Sequence, residues 1–424
     1  MDNVWIKRRR AKRGAKLKVL SINTSNFGST GNIMLRLQEC CKSNGMKMLV
    51  AFPKSRSNMK KRVANSIYIG SILSRNIHLQ LSNLTGYNGT FSYFSTLNFL
   101  RKVKKYNPDI IHLHNLHNGY INLPLLFKYI KKNNIPTVWT LHDCWSFTGQ
   151  CPHFTLAKCD KWKTGCYDCT QYREYPESLV DRTKTMWKLK KKWFTGVKNM
   201  TIVTPSQWLA DLVKESFLGE YPIKVINNGI DLNVFKPTKN NFKEKYGIEN
   251  KYIVLGVSFG WGYKKGLDVF IELSKQLGES YQIVLVGTDV SVDEQLPKNI
   301  ISVHRTQDQQ ELAELYTAAD VFVNPTREEN YPTVNMEALA CGTPIVTFKT
   351  GGSPEILDNT CGVVVDCEDT SSMKKVIIDI CENGILTEEA CLRRSQSFKA
   401  RVLFDEYIAL YNTIGFYSSQ KHID

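Results

Sequence analysis

Short, nearly continuous apolar runs rich in β-branched residues recur along this chain, each followed by a helix-length amphipathic stretch. One series covers residues 18–23, 48–52, 110–114, 137–142 and 201–205. A second covers residues 253–258, 282–286, 321–324, 345–348 and 362–365. Strands covered on both faces read as unbroken hydrophobic runs, whereas half-exposed strands alternate. Strand-then-helix repetition builds doubly wound parallel sheets. Two series in tandem therefore predict an α/β protein of two Rossmann-like domains facing a central cleft. At 424 residues the chain is too long for one core. Turn chemistry at Gly229, Pro237, Asn240 and Asn241 places the boundary near 229–240. The expected division is a basic arm over 1–16, an N-terminal domain over 17–232, a second domain over 233–400, and a C-terminal helix over 401–424 packing back toward the first. Open α/β sheets bind ligands beyond the carboxyl ends of their strands, so residues just after strands are the candidates for chemistry.

Charge narrows the partners. The formal net charge is +16, which favours nucleotide diphosphates, anionic lipid or nucleic acid. The excess is uneven: residues 1–20 carry eight Lys or Arg against one acid, and residues 178–200 carry seven against one. Within the second run, residues 185–194 read either as a membrane-surface helix or as a core helix with exposed lysines. No run of about 18 apolar residues occurs, so no transmembrane helix is expected. The basic start lacks an apolar segment behind it and is not a secretory signal. A cytoplasmic location follows, with attachment to the inner face of the cell membrane as an extension of it. Twelve cysteines in such a compartment stay mostly reduced. Five of them crowd into residues 144–169. Cys151, Cys159, Cys166 and Cys169 offer four thiolates, enough for a structural zinc site, with His153 as a substitute ligand. Reduced structural cysteines, a disulfide or an iron–sulfur cluster remain the other readings.

The strongest local signal is Glu329-Asn-Tyr-Pro-Thr-Val-Asn-Met-Glu337, directly after the strand at 321–324. Two glutamates eight apart would lie about 12 Å apart along a continuous helix. A hydrolase carboxyl pair needs roughly 5–9.5 Å, so this spacing suits one extended ligand gripped at two points. Near the start, Asn26-Phe-Gly28-Ser-Thr-Gly31 follows the first strand, where glycines let backbone approach a phosphate or acceptor. His112, His114 and His117 line one strand end, either as a metal cluster or as ordinary cleft and core residues. No Asp-x-Asp occurs, so a metal-clamped diphosphate is not indicated.

The stretch Glu328-Glu-Asn-Tyr-Pro-Thr-Val-Asn-Met-Glu-Ala-Leu-Ala-Cys-Gly-Thr-Pro-Ile-Val, with Thr350-Gly-Gly-Ser-Pro-Glu355 after it, resembles the donor site of the retaining GT-B glycosyltransferases of family 4. Val225-Ile-Asn-Asn-Gly-Ile-Asp-Leu-Asn-Val-Phe-Lys-Pro237 resembles that family's interdomain segment, and Lys264-Lys-Gly-Leu-Asp268 its phosphate motif. The resemblance runs over about residues 17–415. It implies the GT-B fold, a nucleotide-sugar donor, and no catalytic metal. It implies that Glu337 holds the ribose hydroxyls, Glu329 the transferred sugar, and Lys265 the diphosphate. His142 matches the family's histidine near the donor sugar. Lys264, Asn330, Tyr331, Thr333, Gly28 and Gly31 join them as donor-binding candidates. Gly260 stands where the family usually has an Arg, and Pro332 where it usually has a Gly, removing one backbone donor. The cysteine-rich stretch 144–170 resembles an insertion in the colanic-acid-type exopolysaccharide subgroup. The implied reaction moves a sugar, with retention, onto a glycan or polyprenyl-linked saccharide in capsule, exopolysaccharide or O-antigen assembly. Partners are then the donor, that acceptor and an anionic membrane surface, without nucleic acid. A same-fold nucleotide-sugar epimerase or phosphorylase, and a nucleic-acid-binding protein with a zinc module, are the competing readings.

Overall fold

Two parallel sheets organise the computed structural model, which describes residues 16–420. Of the basic arm expected over 1–16, only Lys16 lies within the described residues. The first sheet runs β3-β2-β1-β4-β5-β6-β7. Its strands are β1 (Lys18–Ile22), β2 (Lys47–Pro53), β3 (Ser66–Ile69), β4 (Ile110–Leu113), β5 (Thr137–Thr140), β6 (Met200–Thr204) and β7 (Ile223–Val225). The second runs β10-β9-β8-β11-β12-β13. Its strands are β8 (Tyr252–Val257), β9 (Tyr281–Val286), β10 (Ile300–Val303), β11 (Val321–Asn324), β12 (Ile345–Phe348) and β13 (Gly362–Val365). In each sheet the order reverses beside the first strand, between β1 and β4 and between β8 and β11. Leu20 pairs with Ile111, and Leu255 with Phe322, at these two switch points. A crevice opens outside the strand ends where the order reverses.

The unbroken apolar runs are what such a sheet needs. Every residue of β4, β5, β11 and β12 is buried, because helices cover both faces. The helix Gly28–Ser43 sets Ile33, Met34, Leu37 and Cys41 against Val19 and Val50. The helix Leu123–Asn133 sets Leu126, Phe127 and Ile130 on the other face, with Phe99 and Trp139. Each such side chain contributes roughly 1.5–3 kcal/mol by leaving water. The second helix starts where its sequence says: the Asn122 side chain accepts the Leu125 N–H at 3.0 Å, and a proline occupies the first turn.

The helix Thr183–Phe194 is a core helix. Met186, Trp187 and Phe194 are buried, so their apolar faces are unavailable to a membrane surface. Its Lys190 is fully buried as well. The ammonium sits 3.6 Å from the Trp145 ring centre and donates to the carbonyls of Trp145 and Thr148. Burial depresses its pKa to about 7.

Two stretches of chain cross between the sheets, and they touch. Ile230 N–H donates to Phe398 O at 2.8 Å, and Ala400 N–H to Ile230 O at 3.0 Å. A Cβ on Gly229 would come within 2.5 Å of Ala400 Cα, which is why a glycine stands there. The returning helix, Ala400–Gln420, packs on the first sheet and on the helix Gly28–Ser43. Tyr411 hydroxyl bonds His112 Nδ1 at 2.6 Å, and Tyr407 hydroxyl bonds Thr140 Oγ1 at 3.1 Å. All four are buried, so each bond satisfies polar groups that burial would otherwise penalise. Tyr411→Phe is expected to lower the unfolding free energy by about 1–3 kcal/mol, because His112 then loses a buried partner. An unchanged thermal midpoint would show that this contact carries no stability.

Candidate active site

Between the carboxyl edges of the sheets lies a cleft of about 680 Å³, inside the roughly 300–1,000 Å³ range of small-ligand sites. Gly28 and Arg36 line it from the first sheet, Gly229 from the crossing segment, and Phe404 from the returning helix. Lys265, Arg305, Glu329, Tyr331, Thr333 and Glu337 line it from the second.

Lys265 ends a short 3-10 turn, Tyr263–Lys265, after β8. The turn closes on Gly266, where φ is +73° and a Cβ would meet Pro325 at 2.5 Å, so no other residue fits without strain. Arg327 fastens the turn from behind. Its guanidinium stacks 3.9 Å from the Tyr263 ring centre, donates to Tyr263 O, and bonds both oxygens of Asp268 at 2.8 Å. Glu368 takes its remaining donors. Lys265 is thus held by a neighbour that the sequence did not single out.

Glu329 lies before the helix, not on it: the helix is Thr333–Ala340, and only Glu337 is within it. The continuous-helix geometry expected for the pair is therefore replaced by a turn and a helix meeting at Pro332. The Glu329 turn rests on Gly351 and Gly352. A Cβ on Gly351 would lie 1.9 Å from Glu329 O, and one on Gly352 2.4 Å from Asn330 O. Gly352 N–H instead donates to Asn330 O at 2.7 Å. Glu329 Oε2 meets Lys265 Nζ at 3.0 Å, and Oε1 accepts its neighbour Asn330 N–H. Burial raises the Glu329 pKa, but the ammonium and the N–H outweigh it, leaving the group below its ordinary value and ionised.

Glu337 differs. Burial dominates and pushes its pKa up to about 7, against lowering hydrogen bonds from Tyr316 and Thr333 and the more distant Arg36. The Tyr316 hydroxyl donates to Oε2 at 3.3 Å. One cleft thus holds a charged carboxylate and one poised to titrate near neutrality. Pro332 precedes the helix without a side-chain cap, and Thr333 and Val334 of its first turn line the cavity. Such an end carries roughly half a positive charge and suits an anion.

Asn330 and His142 do not line the large cavity; they join the two halves behind it. Asn330 Oδ1 accepts from Ser206 Oγ at 2.8 Å, and its Nδ2 donates to His142 O at 3.1 Å. His142 Nε2 bonds His114 Nδ1 at 3.0 Å, the rings stacked. Burial lowers His142 to about 4 and His112 to about 3, and holds His114 well below its ordinary value. All three imidazoles are neutral at pH 7. They form a structural ladder from the cleft to Tyr411, and His117 instead bonds Asp143 and Tyr175. Gly28 reaches the cavity with φ +68°, whereas Gly31 is buried against the Asn26 backbone. Lys264 points away. It ion-pairs with Glu174, just beyond the cysteine-rich stretch, and with Glu328 at 3.2 Å. Arg305 and Arg36, which sequence reasoning missed, supply further cations to the cavity walls.

The expected zinc site is not assembled. Among the described residues no group of three or more His, Cys, Asp or Glu is placed to hold a metal ion. Cys166 Sγ accepts the Gly149 N–H at 3.1 Å, and burial raises the thiols of Cys151 and Cys166 to about 12 and 11. Cys151 and Cys159 instead pack on a core that includes Phe147, Phe154 and Trp162. Cys169, with its N–H bonded to Asp181, stands at the partly exposed end.

A parallel two-sheet molecule whose facing carboxyl edges enclose a cation, two carboxylates and a helix end belongs to the GT-B class of architecture. Residues 32–234 match the family described as Glycosyltransferase Family 4, and residues 238–397 match Glycosyl transferases group 1. The chain belongs to the GT-B glycosyltransferases of family 4. It is 26% identical over 319 residues to the putative colanic acid biosynthesis glycosyl transferase WcaC of Escherichia coli K12, covering 72% of this chain and 77% of that one. A 41.2 kDa protein of the Klebsiella pneumoniae cps region is 24% identical over 74% of this chain and 81% of its own. In fold it is similar to sucrose-phosphate synthase from Thermosynechococcus elongatus, with TM-score 0.71, 17% identity and coverage of 94% and 99%. Anabaena Alr3699/HepE in complex with UDP-glucose gives TM-score 0.66 and 15% identity, covering 94% and 100%.

If the cysteines are apolar filler, treatment with a chelator leaves the melting temperature unchanged. A fall in melting temperature, with about one zinc released per chain, would restore the metal reading.

Proposed function

We propose that this glycosyltransferase moves a sugar from a nucleoside-diphosphate sugar onto a hydroxyl of a glycan or lipid-linked saccharide, with retention, in cell-surface polysaccharide assembly. The observation that carries the reading is the 3.0 Å Lys265–Glu329 pair facing Glu337 and an uncapped helix end across one cavity. Residues 233–400 form the donor half in this reading, and residues 17–232 the acceptor half. Glu337 accepts the ribose hydroxyls, Lys265 and the helix N–H groups take the diphosphate, and Glu329 takes a hydroxyl of the transferred sugar. His142 supports the sugar site from behind, its carbonyl holding Asn330. Arg305 supplies the second cation that Gly260 lacks, since Lys264 is engaged by two carboxylates. Tyr331 and Thr333 shape the wall beneath the phosphates.

The bond from the anomeric carbon to the phosphate oxygen breaks, and a bond to the acceptor oxygen forms on the same face. The acceptor proton passes to the departing phosphate oxygen. Charge growing on that phosphate meets Lys265 as it forms, so the lysine acts on the transition state more than on the ground state. The cell-surface role is drawn from the names of the Escherichia coli and Klebsiella relatives, and the donor class from the UDP-glucose of the Anabaena structure. No helix among the described residues is long and apolar enough to cross a membrane. A lipid-linked acceptor therefore calls for attachment at the membrane surface.

Lys265→Ala is expected to lower turnover about 10²–10³-fold while leaving the melting temperature near wild type. Glu337→Ala weakens nucleotide binding, read by calorimetry with UDP and UDP-glucose as probes. Turnover and binding at wild-type level in both variants would remove the assignment.

The pH dependence has a sign. A ribose hydroxyl donates best to an ionised carboxylate, and Glu337 ionises as pH passes about 7. Affinity for UDP-glucose should rise between roughly pH 6 and 8, and the rise should vanish in Glu337→Gln. The same raised pKa stabilises the ligand-free fold at low pH, a contribution lost as pH climbs through about 7.

A further inference from the structure

The cysteine-rich stretch and the segment just after it wall a second, smaller cavity of about 190 Å³. Lys265 lines both this space and the large cleft. Two neighbouring glutamates divide between them: Glu329 lines the large cavity and Glu328 the small one. His153, Glu174 and Tyr175 reach the small cavity from the first half of the molecule, and Lys264 joins Lys265 and Glu328 from the second.

The first-half wall is braced by its own hydrogen bonds. Cys151 O accepts the Thr148 hydroxyl at 2.6 Å, and Pro152 O the Cys144 N–H at 2.8 Å. The Gln150 amide donates to Tyr172 O and Pro176 O, each at 2.6 Å. The Tyr175 hydroxyl bonds His117 Nδ1 at 2.9 Å, and Asp143 holds the other nitrogen of that ring at 3.1 Å. The hydroxyl is thus occupied while Tyr175 stays 53% exposed, which leaves ring surface open.

Glu328 is the reverse case. It is 5% exposed, and neither carboxylate oxygen makes a hydrogen bond among the described residues. Lys264 Nζ stands 3.2 Å from Oε2, at ion-pair distance without the direction of a hydrogen bond. A carboxylate accepts several hydrogen bonds, and leaving them unmade in a buried place costs free energy. His153 Nδ1 is likewise buried without a partner. Burial works to raise the carboxyls of Asp143 and Glu329, and His153 is among the groups near enough to oppose it. The imidazole therefore belongs to the surroundings of the Lys265–Glu329 pair.

An open aromatic ring, a carboxylate in want of donors and an unused imidazole nitrogen suit a pyranose, which has an apolar C–H face and a rim of hydroxyls. The volume falls below the roughly 300–1,000 Å³ of whole small-ligand sites, so it suits one ring of a longer molecule. Charge narrows the choice. Lys265 is matched by Glu329, and Lys264 faces both Glu174 and Glu328, leaving one carboxylate in excess. A neutral ring fits such a site, whereas a uronate adds a further negative charge. We infer that this cavity seats a neutral sugar ring of the acceptor, with Glu328 accepting from its hydroxyls and Tyr175 supporting its apolar face. The acceptor's place beside Lys265 rests on the proposed transfer reaction; the seating of the ring does not require it.

Saturation-transfer difference NMR on the full chain with UDP present tests this. The probes are the methyl glycosides of glucose, galactose and mannose, with methyl glucuronide as the acidic counterpart. At least one neutral glycoside should bind with a Kd below about 50 mM, and the glucuronide roughly tenfold or more weakly. Glu328→Gln should weaken the neutral glycoside roughly tenfold or more and narrow its lead over the glucuronide. Tyr175→Ala should abolish binding. Tyr175→Phe keeps the ring and loses only the His117 bond, so it should bind as wild type does. A bracing role exercised through that bond would instead be lost in both tyrosine variants. UDP binding should be unchanged in all three variants, and the tyrosine pair decides the matter if Glu328→Gln does not fold. Undiminished glycoside binding in both Glu328→Gln and Tyr175→Ala overturns the inference, as does a glucuronide that binds wild type as well as the neutral sugars. Tyr175→Phe as weak as Tyr175→Ala overturns it too. UDP binding without any glycoside binding removes the subsite and leaves the donor reading standing. Glycoside binding as described without UDP binding supports the subsite and removes the donor reading.

Discussion

The turn at Glu329 and Asn330 is the constraint on which the cleft depends. It exists because Gly351 and Gly352 have no side chains: any Cβ there would enter the turn's own carbonyls. With the turn in place, Asn330 reaches Ser206 and the His142 carbonyl on the opposite sheet. Glu355, just beyond the glycines, accepts the N–H groups of Gln207 and Trp208 at 2.7 Å, capping a first-sheet helix from the second. Each bond is worth about 1 kcal/mol net, more where the carboxylate is charged. Together they set the separation of the two halves, and so the distance between Glu329, Lys265 and whatever lies across from them.

Two carboxylates in one cavity then acquire different characters from their surroundings. Glu329 keeps a lysine and an N–H, and stays charged despite burial. Glu337 has mainly a tyrosine and a threonine, neutral donors that offset burial only in part. Placing acids of unlike proton affinity in one site is how a fold separates the task of holding charge from that of sensing it. The neutral histidine ladder extends the same logic, since three stacked or bonded imidazoles could not all be charged in so little water.

Much of this was legible in the chain. The central strands of both sheets were readable because both of their faces are covered, which leaves unbroken apolar runs. The strands that escaped were β3, β7 and β10, the first two at the sheet edges, the third at the rim of the second sheet. They are three or four residues long and half-buried, too short and too polar to leave a run. Glu329, Glu337, Lys265, Tyr331, Thr333 and Gly28 share the cavity as their positions after strands implied. Arg327, Arg305 and Arg36 were not legible, because a lone arginine in sequence does not show what it faces. Lys264 misled for the same reason: its partner Glu174 lies 90 residues away. The four thiols of the cysteine-rich stretch lie near enough to affect one another's ionisation, yet no metal-holding group is found among the described residues, a difference that spacing alone does not carry.

The contact between Ile230 and Lys399 has a consequence for movement. The polypeptide passes from one half to the other twice, and the two passages lie side by side, hydrogen-bonded. Two adjacent strips resist sliding and twisting more than rotation about the line they share, so that line is the axis of least resistance, and the Asn330 and Glu355 bonds oppose turning about it. Because Tyr407 and Tyr411 anchor the second strip deep in the first half, the axis is fixed to that half. Any widening of the cleft about that axis breaks the Asn330 and Glu355 bonds that span it, while the wall bearing Phe404, beside the axis, moves least.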